Sequence, residues 1–213
     1  MNVKTIAGLS IIVGVLLTGC SQKNDFLRDQ IGSYRNYIDV QGSIDNEIYT
    51  YPNNLFQYKV PSLLKPGARI KDNQNGEYSG GISFSDDIGK LIRVEFINKY
   101  ALKGNNDRDT LEKSSAFIYN TMYKPTGMDI RLIHEEYIDN KLYAIFDFPN
   151  GSTMHRNGKP MNAVRGSVFF IKNNNLFVIT RQSTEGIFMR TKYKYNDIPQ
   201  MIEMLQSDLK DFK

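Results

Sequence analysis

The order of apolar patterns along this chain predicts an α+β fold, an antiparallel β-sheet sandwiched with two amphipathic helices. Three observations predict it. Short runs alternate apolar with polar residues and are bounded by Asn, Asp, Gly or Pro, the pattern of strands joined by tight turns. Two stretches, one after residue 107 and one after 197, instead repeat apolar residues at three-four spacing. The composition then supplies the core: 40% of 213 residues are hydrophobic, with 12 Phe and 13 Tyr. That is too rich for a disordered chain, and a mean hydropathy of −0.44 excludes a polytopic membrane protein.

Taken in order, Phe56, Tyr58 and Val60 alternate with Gln57 and Lys59, and Pro61 stops the run. Ile82 and Phe84 alternate with Ser83 and Ser85, and Asp86-Asp87-Ile88-Gly89 makes a turn. Ile92, Val94 and Phe96 then alternate with Arg93 and Glu95, which completes a hairpin. A helix follows, capped by Asp107 or Asp109, with Leu111, Ser115, Ile118 and Met122 on one face; Pro125 and Gly127 end it. Residues 130–138 and 142–148 read as strands joined at Asp139-Asn140-Lys141. Residues 163–171 and 176–182 form a third hairpin through Asn173-Asn174-Asn175, since Asn tolerates left-handed dihedrals. Continuous apolar runs in this last pair imply strands covered on both faces. Residues 187–195 read as a final strand. The closing helix starts at Asn196 or Asp197, carries Pro199 in its first turn, and presents Ile198, Met201, Ile202, Leu205, Leu209 and Phe212.

The amino-terminal segment is different in kind. Lys4 precedes an apolar run over residues 6–16, short for a spanning helix and suited to a signal sequence. The run ends in Leu17-Thr18-Gly19-Cys20, which resembles the lipobox of bacterial lipoproteins. The resemblance implies a signal peptide at 1–19, cleavage before Cys20, and acylation of that thiol. Residues 20–30 then form the acylated cysteine and tether, and 31–213 a single α+β domain. It implies residence in the cell envelope, with the membrane as a partner through the N-terminal lipid. Ser21 after the cysteine implies the outer membrane, facing the periplasm, where the source has two membranes. Being the one cysteine, Cys20 also rules out an intrachain disulfide or a Cys-based zinc cluster.

A second resemblance spans roughly residues 48–213. Asn54-Leu55-Phe56-Gln57-Tyr58-Lys59-Val60-Pro61, followed by hairpin, helix, paired hairpins and closing helix, is similar to the PsbP-like fold. Leu63-Leu64 stand where that family often has a Trp. The family's members are mostly binding and assembly factors, which is what this resemblance implies.

The chain carries no phosphate loop, dinucleotide fingerprint, His-Glu-x-x-His helix or Gly-x-Ser-x-Gly elbow. His134 and Glu136 share one face of a strand and Glu135 takes the other, a pattern open to proton transfer, weak metal binding or simple solvation. His155 lies in a long polar loop, 149–163, where Arg156 and Lys159, with Arg165 just beyond, offer donors to an anion or only decorate a loop. Asp86, Asp87, Asp107 and Asp109 lack the glycine and closing glutamate of a calcium loop and read as turn and cap residues. Arg190, Lys192 and Lys194 alternate with Thr191, Tyr193 and Tyr195, a row of cations on one strand face. That row suits an anionic envelope component, or a solvated edge strand; nucleic acid is not the expected partner.

The reading that follows is a non-enzymatic binding or assembly module, needing no cofactor, whose partner is an envelope protein or anionic envelope component. The alternative is an envelope hydrolase or metal-assisted enzyme using His134, Glu136 and His155.

Overall fold

A computed structural model of the chain describes residues 37–61, 69–74, 79–85, 91–97, 102–151, 155–156, 159–184 and 196–213, with backbone alone at 37, 73–74, 79, 155–156 and 159–160. Cys20 lies outside the described residues, as do the turn at 86–89 and the strand expected over 187–195.

The architecture is α+β. Its main sheet contains β1 (Tyr37–Asp39), β5 (Arg69–Gln74), β6 (Ser79–Ser85), β7 (Leu91–Ile97), β8 (Arg131–Ile138), β9 (Lys141–Phe148), β12 (Ala163–Lys172) and β13 (Asn175–Thr184). They lie in the order β1-β5-β6-β7-β13-β12-β9-β8. The three expected hairpins, β6–β7, β8–β9 and β12–β13, are all present and antiparallel. Two of them turn on left-handed pairs, Asp139 (φ 49°) with Asn140 (φ 59°) and Asn173 (φ 48°) with Asn174 (φ 62°). Two successive positive φ values match the twist of flanking strands, which is why short polar residues occupy these positions.

One edge departs from the expected antiparallel pattern. β1 runs parallel to β5, pairing Ile38 with Ile70. Parallel neighbours need a long crossover, and here it contains a sheet of its own. β2 (Ser43–Asp45), β3 (Ile48–Thr50) and β4 (Gln57–Lys59) form a three-stranded antiparallel layer. Backbone bonds tie β4 to the carboxyl end: Gln57 N–H donates to Lys213 O (3.1 Å), Lys213 N–H returns to Gln57 O (2.9 Å), and Lys59 N–H donates to Asp211 O (3.0 Å).

Each face of the main sheet carries one of the two helices among the described residues. On the first face, α2 (Ile198–Lys210) lays Met201 and Leu205 over Tyr143, Ile145, Val164 and Val168. The three-stranded layer packs on the same core through Tyr49, Phe56, Tyr58 and Val60. Phe212 fills the gap between them, with ring centroids 5.7 Å from Phe56, 5.0 Å from Phe170 and 4.9 Å from Phe177. Close approach of α2 depends on Gly166, where a Cβ would lie 2.5 Å from Met201 Cγ and 2.9 Å from Leu205 Cδ1. Asp197 caps α2, its carboxylate accepting from Gln200 N–H, with Pro199 in the first turn as expected.

On the second face, α1 (Asp107–Ile118) buries Leu111, Ser115 and Ile118 over Leu142, Ala144, Phe146 and Phe169. The chain continues through a π-turn, Tyr119–Tyr123, and a short 3-10 turn, Lys124–Thr126, and stops at Gly127 (φ 69°). That left-handed residue satisfies the terminal carbonyl of Lys124. The helix cap is Asn106 rather than Asp107 or Asp109; its side chain accepts from Asp109 N–H at 2.9 Å. Asp109 instead accepts from Asn105 N–H (2.7 Å) and pairs with Lys113, and these bonds hold its carboxyl below the usual range. Asn106→Ala is therefore expected to cost ~1 kcal/mol, read as a shift in denaturation midpoint at unchanged slope.

Candidate functional site

The second face has two unlike halves. Over β9 and β12 it is apolar and covered by α1. Toward β5 it turns polar, because the strands there alternate with the opposite chemistry: Ile82, Phe84, Ile92 and Val94 go to the first face. Their neighbours Ser83, Ser85, Arg93 and Glu95 must then take the second. The pairing register places these side chains in rows. One row runs Lys71, Ser83, Arg93, Thr180 and Ser167; the next runs Arg69, Ser85, Leu91, Gln182 and Arg165. Four cations thus stand on adjoining rows, about 7 Å apart along each strand.

The central members are built in rather than solvated. Arg93 Nη2 lies 2.8 Å from Glu95 Oε1, with side chains only 16% and 4% exposed. Ser167 and Thr180 share a hydroxyl–hydroxyl bond of 2.8 Å. Arg165 donates from Nε to Gln182 Oε1 at 2.8 Å, and its Cζ sits 4.5 Å from the Phe148 ring centroid and 5.7 Å from that of Tyr123. Stacking on two aromatic faces suits a planar, weakly hydrated guanidinium. Burial draws Arg165 below the ordinary guanidinium value, and the Arg93 charge adds to that, while Tyr123 and Glu95 act against it. Burial likewise raises the Tyr123 hydroxyl above its ordinary value, opposed by the charges of Arg165 and Arg93.

Among the described residues, Arg93 Nε and the hydroxyl of the fully buried Thr184 find no hydrogen-bond partner. An unmet buried polar group costs about 1–3 kcal/mol. Guanidiniums for charge beside hydroxyls for orientation are the donor set that suits an anionic group.

The residues singled out from sequence are distributed unevenly around it. Arg165 belongs to the strip, whereas the sequence groups it with Arg156 and Lys159 of the polar loop. That loop is more ordered than expected: β10 (His155–Arg156) pairs with β11 (Lys159–Pro160), and Asn162 Oδ1 accepts from Asn150 N–H at 2.9 Å to close its base. The side chains of His155, Arg156 and Lys159 lie outside the described residues, as do Arg190, Lys192 and Lys194.

His134 and Glu136 do share a face, with His134 Nε2 3.1 Å from Glu136 Oε1, both partly exposed. The ring nitrogen is out of line for a hydrogen bond. Glu135 points to the other face and accepts from Ser115 Oγ at 3.1 Å. Among the described residues no three His, Cys, Asp or Glu side chains gather to hold a metal ion.

Arg93 and Glu95 escaped sequence reasoning because their alternation with Ile92 and Val94 reads as a solvated face. A cation and an anion two apart on one strand, with Arg93 opposite Thr180 of the largely apolar β13, is the local sign of burial. No protein-family model and no curated protein sequence matches this chain.

Proposed function

We propose that this protein is a lipid-anchored module of the bacterial cell envelope that binds, without catalysis, an anionic group of an envelope partner. The observation that carries the reading is Leu17-Thr18-Gly19-Cys20 at the end of a short apolar run, in a chain with no other cysteine. Acyl chains on Cys20 hold a protein to a bilayer durably, since each buried methylene is worth ~0.8 kcal/mol and two signals suffice. The binding half of the proposal is supported by the Arg93–Arg165 strip, with its guanidiniums and hydroxyls on adjoining rows. The likeness of residues 48–213 to the PsbP-like fold points the same way.

Radiolabelled palmitate should enter the wild-type chain and not Cys20→Ala, which should leave the membrane fraction. Equal labelling of both would end the anchoring proposal. Crosslinking and recovery from membranes then tests the strip. Arg165→Gln removes one charged hydrogen-bonding fork, worth about 1.5–3 kcal/mol, so partner recovery should fall roughly ten- to a hundredfold. Undiminished recovery by a folded Arg165→Gln would remove the strip from the function.

A further inference from the structure

A second site lies on the three-stranded layer, and its chemistry is unlike that of the strip. Residues 40–44 and 50–54, joined where Ser43 of β2 pairs with Thr50 of β3, line a cleft of about 530 Å³. That volume falls within the range of sites for small organic ligands. Its polar lining comes from Gln41, Ser43, Thr50, Tyr51, Asn53 and Asn54, none of them charged at neutral pH; the remainder is Val40, Gly42, Ile44 and Pro52.

Both walls are fixed before any ligand arrives. Gln41 N–H donates to the carboxylate of Asp72, whose other oxygen accepts from Tyr49 Oη at 2.9 Å. On the facing wall, Tyr51 N–H donates to Phe56 O and Asn54 N–H to Tyr51 O, each at 3.0 Å. The Tyr51 ring is stacked on Phe56 (centroids 4.9 Å apart) and set edge-on to Phe96 (5.4 Å). Asn53 (φ 60°) and Asn54 (φ 55°) are left-handed and exposed, and both line the cleft.

We propose that this cleft binds a neutral, hydroxyl-rich ligand, a short oligosaccharide. A phosphate or carboxylate ligand would meet no cation among the described residues of the lining. An apolar ligand would strip water from amides and hydroxyls without replacing their bonds. A sugar hydroxyl both donates and accepts, and so do the carboxamides of Gln41, Asn53 and Asn54 and the hydroxyls of Ser43 and Thr50. Tyr51, locked and half-buried, adds an aromatic body with a polar tip, the amphipathic contact that suits a sugar ring. The inference is independent of the anion strip, which stands or falls without it.

The test is saturation-transfer NMR on the full chain in a sugar-free detergent, with chitotetraose, cellotetraose and maltotetraose as separate probes and citrate as competitor. At least one tetrasaccharide should receive magnetisation, and citrate should not displace it. Asn53→Gly/Asn54→Gly keeps the left-handed backbone while removing both amides, and should weaken binding roughly tenfold or more at an unchanged Tm. Gln41→Ala, on the facing exposed wall, should also weaken it and carries the test if the glycine variant is unstable. No transfer to any of the three sugars, displacement by citrate, or unchanged binding in folded variants would overturn the proposal.

Discussion

Asp208→Ala is expected to cost about 3–5 kcal/mol, a large share of the ~5–15 kcal/mol that holds a domain folded. Asp208 is on α2 and grips Arg181 of β13 with both oxygens, Nε to Oδ2 at 2.7 Å and Nη2 to Oδ1 at 2.8 Å. The side chains are 5% and 18% exposed, so alanine would leave a guanidinium desolvated beneath the helix with its main counter-charge gone. The Tyr58 hydroxyl, buried nearby with no hydrogen-bond partner among the described residues, cannot replace a carboxylate. Removing both charges is a different experiment: Arg181→Met with Asp208→Leu should recover most of the loss, because well-packed apolar pairs replace buried ion pairs at little cost. Urea denaturation of these two variants beside the wild type decides it. A single-variant loss below ~1 kcal/mol would mean the pair is solvated in solution.

The second large effect is alkaline unfolding. Burial is the leading cause that raises the hydroxyls of Tyr49, Tyr51, Tyr58, Tyr123, Tyr137 and Tyr143 above the ordinary value of 10.0. For Tyr49, a hydrogen bond to Asp72 adds to it; Tyr137, bonded to Glu112, is pushed up to about 12. A group whose folded pKa is raised binds its proton more tightly in the native state. Its stabilisation is complete below pH 10 and is lost as pH climbs through the folded value. Six such groups act in the same direction, so the chain should unfold cooperatively as pH rises from 10 through about 12 and beyond. Tyrosinate absorbance and near-ultraviolet dichroism should change together. Smooth titration of every tyrosine near 10 with intact dichroism would contradict the burial assigned to Tyr49 and Tyr58.

Both effects depend on features that local sequence shows only in part. The hairpins were legible because Asp139-Asn140 and the Asn173–Asn175 run put residues tolerant of positive φ between apolar runs. The helices were legible because three-four spacing survives whatever they pack against, and Asp197 before Pro199 marks a start. The cap of α1 is Asn106 and not Asp107 or Asp109 for a plain reason: all three are competent acceptors, and only backbone geometry selects among them. The parallel β1 edge and the three-stranded layer were hidden because their strands are three residues long, too short for a period to register. Of the candidate sites, Arg165 was found for its charge but assigned to the loop. Its partners Gln182, Tyr123 and Phe148 come from three separate elements that meet only in the folded sheet. Leu132 and Ile133 stay exposed beside a bulge in β8, which ends the strand order of the main sheet, so an apolar residue in a strand is no guarantee of burial.

The bonds between β4 and residues 211–213 have a consequence for the order of events in time. A chain emerging amino end first can make its three local hairpins as each turn appears, but the ladder beside Gln57 and Lys59 has to wait for its distant partner. Until Phe212 arrives, the rings of Phe56, Phe170 and Phe177 lack their common neighbour. The aromatic centre is thus a late lock, and a chain shortened by those three residues should stall with its hairpins made and its two layers unjoined.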